Sequence, residues 1–550
     1  MVAASLAMAF PLHSQQTAND VPAGGAGSAS QQPNAAGQQS DQQIVQELDA
    51  MKKRIAQLEA ALKQHEAAEK PTTVPRTAKG SAPVAVPSIE PVENAVEMAP
   101  QGAAPAKPAK EEPFAFADWT WLNGNARTKT PAFDSKFFTP EIRADIDYIY
   151  DLNHPSDDTI GGSSEVFRSN EFHVTQFGVG GDFHYDNVRA RLMTQFGLYS
   201  ETTPRNDASP ARGQWNLADA YRYVSEAYGG YHFNALHGIN VDAGIFMSYI
   251  GLFSYYNFDN WAYQPSYVSS NTPWFFNGMR IQIFPTAHLK IEPWIINGWQ
   301  SYGRFNNRLG IGGQILWRPN GWLSVLGNQY ALGEDALNTP GRVRYHTDDS
   351  IEIKYYDHPE RTLSKAAFSL TGDMGCEHGG GVSCYGNSTQ IISGQRVFAP
   401  KQDFLGFMFY NRLWFHRDLY GLTLGGGKIN NPGRYLVLLP PINGATAASG
   451  TPYFTENPGD PYKAWDASAT FDYMPSQYIT FRWEYNHRAA NVPYFSGSGG
   501  VTPPGGNTFG APGSTVCFSG APPCGSLANT WFPDLRKNET RLNMAILVKF

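Results

Sequence analysis

The chain closes on RLNMAILVKF, running from Arg541 to Phe550. Leu542, Met544, Ile546, Val548 and Phe550 fall on one side of this stretch. Arg541, Asn543, Ala545 and Lys549 fall on the other, with Leu547 as the one exception. A period of two belongs to a β-strand, because successive side chains leave the backbone on opposite faces. One face of this strand is apolar and the other is wet.

The same texture recurs upstream. Ile142, Ala144, Ile146, Tyr148 and Tyr150 oppose Arg143, Asp145 and Asp147; Val188, Ala190 and Leu192 oppose Arg189 and Arg191. Trp465, Ala467, Ala469, Phe471 and Tyr473 oppose Asp466, Ser468, Thr470 and Asp472. Each run is about the ten residues that a tilted strand needs to cross a hydrocarbon layer. Tight connections, as at Asp186–Asn187, Asn234–Gly238, His416–Asp418 and Pro475–Gln477, alternate with long ones, as at 153–168, 251–274, 372–402 and 487–538. Short turns at one end and long loops at the other predict an all-β fold, an antiparallel transmembrane β-barrel of about sixteen strands. An even count puts both chain ends on the periplasmic side. A final strand ending on an aromatic residue also resembles the insertion signal of bacterial outer-membrane barrels.

Composition fits that expectation. Aromatics reach 13% and glycines number 54, yet no uncharged apolar run is long enough for a membrane helix. Barrels hide their membrane signal because lipid-facing and lumen-facing residues alternate. Charged residues make up 17% with a net charge of −7, which does not point to nucleic acid as a partner. The cysteines fall into two close pairs, Cys376 with Cys384 and Cys517 with Cys524. Two local disulfides stapling long loops in an oxidising compartment account for them better than a metal site does.

Before the barrel the chain changes character three times. Residues 1–14 are apolar and small and read as the remnant of a signal peptide; 15–40 are a polar segment without the means to build a core. Over 41–70, Ile44, Leu48, Met51, Ile55, Leu58 and Leu62 recur at spacings of four and three, the seam of a short coiled-coil helix. Residues 41–66 are therefore the expected contact of a homo-oligomer, a trimer among the options. Residues 71–113 are a Pro- and Ala-rich linker, and the barrel is expected over 114–550.

The polar residues that alternate with the apolar set should line the lumen. They include Arg143, Asp145, Arg189, Arg191, Arg222, Glu226, Arg280, Lys290, Glu292 and Arg308, and further along Glu352, Lys354, Arg482 and Glu484. Basic residues outnumber acidic ones in the first half, which tilts the expected lining towards anions. The stretch from Gly251 to Phe276, GLFSYYNFDNWAYQPSYVSSNTPWFF, is too aromatic for a freely solvated loop. Tyr255, Tyr256, Trp261, Tyr263, Tyr267 and Trp274 want burial with their polar tips satisfied. Folded inward, this loop would form a constriction in which Asp259 faces the wall arginines.

These residues resemble the OmpL-like β-barrel porin family of Gram-negative outer membranes. The likeness spans roughly Phe114 to Phe550 and is carried by DWTWLNG from Asp118 to Gly124 and GIFMSYIGL from Gly244 to Leu252. Asn260-Trp261, Pro273-Trp274 and the Asn297 to Trp299 triplet extend it. The resemblance implies passive diffusion of small hydrophilic solutes or ions through a water-filled barrel, with outer-membrane lipid as the surrounding partner. The helical prefix also looks like that of phosphate-selective porins O and P, but the lysine-rich loop of that family is missing from 251–276. A second reading is an outer-membrane structural or adhesion barrel held to the cell wall through its N-terminal helix. No catalytic motif, cofactor cradle or metal-ligand spacing was found, so no enzyme, cofactor or metal is expected.

Overall fold

A computed structural model describes Lys52–Lys53 and residues 111–550, except 156–157, 159, 161–165, 205–206, 208–213, 305–306, 334–340, 381, 387–388, 393–394, 399–400, 432–461, 492–493, 499–514, 518–527 and 531–534. The chain divides into two compact units, Met1–Val84 and Ala85–Phe550. Lys52 and Lys53 are helical. The other features expected within 1–110 lie outside the described residues, as does the pairing of Cys517 with Cys524.

Sixteen antiparallel strands form one closed barrel. They are β1 (Phe138–Asp151), β2 (Phe172–Tyr185), β3 (Val188–Thr194), β4 (Val224–Phe233), β5 (Ile239–Met247), β6 (Phe275–Thr286), β7 (Leu289–Ile296) and β8 (Gly310–Asn320). The second half is β9 (Leu323–Leu332), β10 (Val343–Asp357), β11 (Leu363–His378), β12 (Asp403–Phe415), β13 (Tyr420–Asn431), β14 (Tyr462–Ser476), β15 (Ile479–Ala490) and β16 (Asn538–Lys549). Neighbours in sequence are neighbours in the sheet. The ring closes where β1 pairs with β16, Arg143 opposite Lys549 and Asp151 opposite Arg541. Closure leaves no strand edge unpaired, the condition for a sheet to sit in hydrocarbon.

Alternation decides which face each residue takes. On β1, Ile142, Ile146 and Tyr150 are exposed on the outer face while Arg143, Asp145 and Asp147 are buried inside. On β16, Leu542, Met544 and Ile546 point outward, and Arg541 and Asn543 inward. Such a continuous apolar exterior is unfavourable in water and matched in lipid. Leu547, the exception in the sequence pattern, does face the lumen. It is fully buried there with Ala545, Phe258 and Tyr263, so its partner is not lipid but a loop folded inside the barrel.

The short turns gather at one mouth, exemplified by Asp186–Asn187 between β2 and β3. The long connections gather at the other. Among the described residues two of these carry small two-stranded sheets, one pairing Thr389–Ile392 with Gln395–Phe398. Cys376 at the end of β11 is bonded to Cys384 in the following loop, with Cα atoms 5.0 Å apart.

Candidate functional site in the barrel lumen

Among the described residues two inserts occupy the lumen. The first is the connection from β5 to β6, whose residues Tyr255, Tyr256, Asp259, Trp261, Tyr263, Tyr267 and Trp274 are all buried. Burial of so many rings is favourable only if their polar tips and the loop backbone find partners. The wall supplies them. Tyr256 Oη donates to Glu226 at 3.0 Å and Tyr263 Oη to Asp145 at 3.0 Å. Tyr255 Oη donates to Gln195 and also meets Thr203 at 3.2 Å. Asp259 takes the guanidinium of Arg143, with the Lys549 ammonium 3.4 Å away, and Arg143 lies 4.0 Å over the ring of Tyr256.

The far wall, β14 to β16, holds the loop backbone. Arg482 donates to the carbonyls of Asn257 (2.9 Å), Asn260 (2.6 Å) and Ala262 (3.2 Å), and Asp472 steadies it at 2.7 Å. Glu484 accepts from the amides of Tyr263 (2.6 Å) and Gln264 (2.8 Å). Asp466 accepts from Ser266 Oγ (2.7 Å) and Tyr267 N (3.0 Å), at the start of the helical turn Tyr267–Ser270. Arg488 reaches the carbonyl of Pro265 at 2.7 Å, and Arg541 the side chain of Gln264 at 3.0 Å. These are charge-assisted bonds in a dry setting, the strong class of hydrogen bond.

The second insert was not foreseen. Residues 114–129, expected only as the entry to the barrel, precede β1 and turn into the lumen at the short-turn mouth. Phe114 N donates to Ala287 O at 2.8 Å in the β6–β7 turn. Asn125 Nδ2 donates to Ser476 O (3.0 Å) and Thr480 Oγ1 (3.2 Å), and Thr128 Oγ1 to Gln477 O (2.8 Å), around the β14–β15 turn. Trp119 and Trp121 are buried in the main apolar cluster, together with Trp261 of the loop and Trp414 of the wall. Arg318 stacks over Trp119 at 4.7 Å. The two inserts meet where Gly124 N donates to Asp259 O at 2.8 Å. A Cβ at Gly124 would sit 2.4 Å from Asn260 O, so only glycine allows this approach.

Arg412 of β12 joins everything. Its guanidinium donates to Gly124 O (2.6 Å) in the segment, Trp261 O (3.3 Å) in the loop and Asp472 (2.7 Å) in the wall. Sequence reading missed it, because its strand lacks the polar-inside signal. Phe404, Met408, Tyr410 and Trp414 also face inward there, packed against the inserts. Leu405, Phe407 and Phe409 face outward, leaving the strand apolar on both sides.

Of the sequence-assigned lining residues, Arg143, Asp145, Arg191, Glu226, Arg280, Lys290 and Glu292 are buried on the inner face, and Arg189 projects beside them. Arg222 and Arg308 differ. Arg222 caps the short helix Leu217–Tyr221 in a long loop and pairs with Glu201 at 3.0 Å and Asp219 at 3.2 Å. Arg308 is exposed just before β8. Alternation was extended past the strand ends at both places, where the chain had already left the sheet. The basic excess of the first half is also compensated locally. Arg191 pairs with Asp182 (2.7 Å), Glu141 (2.9 Å) and Glu226 (3.0 Å); Arg280 pairs with Asp242 (3.1 Å) and Lys290 with Glu292 (2.9 Å).

Residues 143–398 match the family model described as "Putative beta-barrel porin-2, OmpL-like". No curated protein matches the chain. Among solved structures, the trimer form of in-vitro folded OmpT from Vibrio cholerae is similar at 9% identity and TM-score 0.41, covering 75% of this chain and 99% of its own. DcaP, an outer-membrane channel of Acinetobacter baumannii, is similar at 11% identity and TM-score 0.39, covering 76% and 100%. An anion-selective porin from Comamonas acidovorans is similar at 9% identity and TM-score 0.40, covering 75% and 99%. At such scores the assignment rests on the family match and on the closed barrel itself. Over residues 143–398, which fall within the sixteen-strand barrel, the chain is similar to the OmpL-like β-barrel porin family.

Proposed function

We propose that the barrel conducts small hydrophilic solutes or ions by passive diffusion, with the loop from Gly251 to Trp274 as its constriction. The observation that supports this most is the seating of that loop across the lumen on inward-facing charged groups, Asp145, Glu226, Arg482 and Glu484 among them. A sixteen-strand barrel otherwise encloses a wide aqueous hole. A loop clamped on both sides narrows that hole without needing to move. The lining carries both signs in close pairs, which suits small neutral solutes and ions of either charge. The short turns and the N-terminal prefix are assigned to the periplasm and the long loops to the outside, in the manner of single-chain outer-membrane barrels. Self-association through 41–66 belongs to the same reading.

Single-channel recording in planar bilayers tests it, with the reversal potential taken in a salt gradient. Small, discrete conductance steps are expected, and Asp259→Asn should move the reversal potential towards anions. A folded barrel without steps would favour the second reading, an outer-membrane structural or adhesion barrel. The packed interior around Trp119, Trp121 and Trp261 is the observation on that side.

A further inference from the structure

A recess of about 440 Å³ opens at the short-turn mouth, between residues 114–129 and two barrel turns. The segment contributes Asp118, Arg127 and Lys129; the β10–β11 region contributes Lys354, Asp357 and Lys365; the β12–β13 turn contributes Arg417 and Asp418. Five of these groups are basic and three acidic, which is notable in a chain of net charge −7. Three pairs cancel: Lys129 with Asp118 (3.4 Å), Lys354 with Asp357 (2.6 Å) and Lys365 with Asp418 (2.6 Å). That leaves two guanidiniums, Arg127 on the segment and Arg417 on the barrel. Among the described residues neither side chain meets a carboxylate. Elsewhere in the lumen the arginines at positions 143, 191, 280, 412 and 482 are each paired with one.

Two guanidiniums without a carboxylate partner in the lining of one partly enclosed cavity suit an oxyanion, since each offers a planar fork that fits a phosphate or carboxylate edge. We propose that this recess binds a small polyanion, a di- or triphosphate-like or polycarboxylate solute, and that Arg127 of the segment and Arg417 of the barrel turn both hold it. Bound there, the anion ties the 114–129 segment to the wall and keeps it in the mouth. The regulatory half of this proposal rests on the channel reading above; the binding half does not.

The experiment is isothermal titration of the detergent-solubilised full chain with inorganic pyrophosphate at low salt, beside the double variant Arg127→Gln/Arg417→Gln. Heat-modifiable gel mobility confirms that each barrel is folded. The unaltered protein is expected to bind one pyrophosphate, and the double variant at least tenfold more weakly. Arg127→Lys/Arg417→Lys should recover part of the loss, since charge returns without the fork. Absence of binding to the unaltered protein, or undiminished binding by the double glutamine variant, overturns the site. In bilayers, pyrophosphate on the short-turn side should lower the open fraction of the unaltered protein only. Binding without any channel activity would refute the channel reading and leave the site standing; channel activity indifferent to pyrophosphate would overturn the tying role.

Discussion

The two inserts fill one lumen by opposite means. The β5–β6 loop is anchored at both ends by barrel strands and held along its backbone by Arg482, Glu484, Asp466 and Arg488. The 114–129 segment runs directly into β1 at its downstream end and is hydrogen-bonded to the β6–β7 turn at Phe114. It is held mainly by two tryptophans and by side-chain bonds to turn carbonyls. Most loop contacts are to buried charges, whereas the segment takes a hydrogen bond from one, Arg412 at Gly124 O, and otherwise relies chiefly on packed rings and neutral hydrogen bonds. The loop is thus held chiefly by buried charge and the segment chiefly by aromatic packing.

Variants can break or sharpen this contrast. The largest effect is expected from Arg482→Ala, which strands Asp472 and three loop carbonyls. Loss of one partner of a buried pair costs roughly 3–5 kcal/mol, and urea unfolding of the barrel in detergent should register it. Protease cleavage within 251–274 should rise in the same variant. Next comes Trp119→Ala, at about 3 kcal/mol of packing. Here the barrel's own unfolding should barely change, and the loss should appear as cleavage near Lys129. If both variants destabilised the whole barrel equally, the distinction between a charge-held and a packing-held insert would fail.

Much of this was legible in the chain. The strands were visible because a wet inside and a greasy outside impose a period of two, and the turns were visible because short and long spacings alternate. The loop was visible as too many rings for an exposed connection. What hid the segment was its brevity: DWTWLNG has no period over seven residues, and nothing in it tells a buried aromatic pair from a strand start. What hid Arg412 was the packing itself, which made the inner face of β12 as apolar as the outer.

Smaller effects sharpen the picture of the segment. Asn125→Ala removes bonds to Ser476 O and Thr480 Oγ1 and should cost about 1 kcal/mol, read as faster proteolysis near Lys129 with loop protection intact. The smallest effect is one of pH. Burial pushes the Asp118 carboxyl up, but hydrogen bonds from Thr120 and the charges of Lys129 and Lys365 outweigh it and hold the group below the ordinary carboxylate range. A depressed value means that Asp118 supports docking above the unfolded carboxylate range and loses that support as pH falls through its folded value. Segment protection should therefore weaken only in strong acid, and Asp118→Asn should abolish that dependence.

The most direct measurement is single-channel conductance of the full chain beside a chain lacking residues 111–129, each reconstituted as a folded barrel. Small steps from the first and clearly larger ones from the second are predicted, because the loop alone would then set the aperture. Equal steps, or silence from the shortened chain, would contradict an aperture narrowed by two inserts.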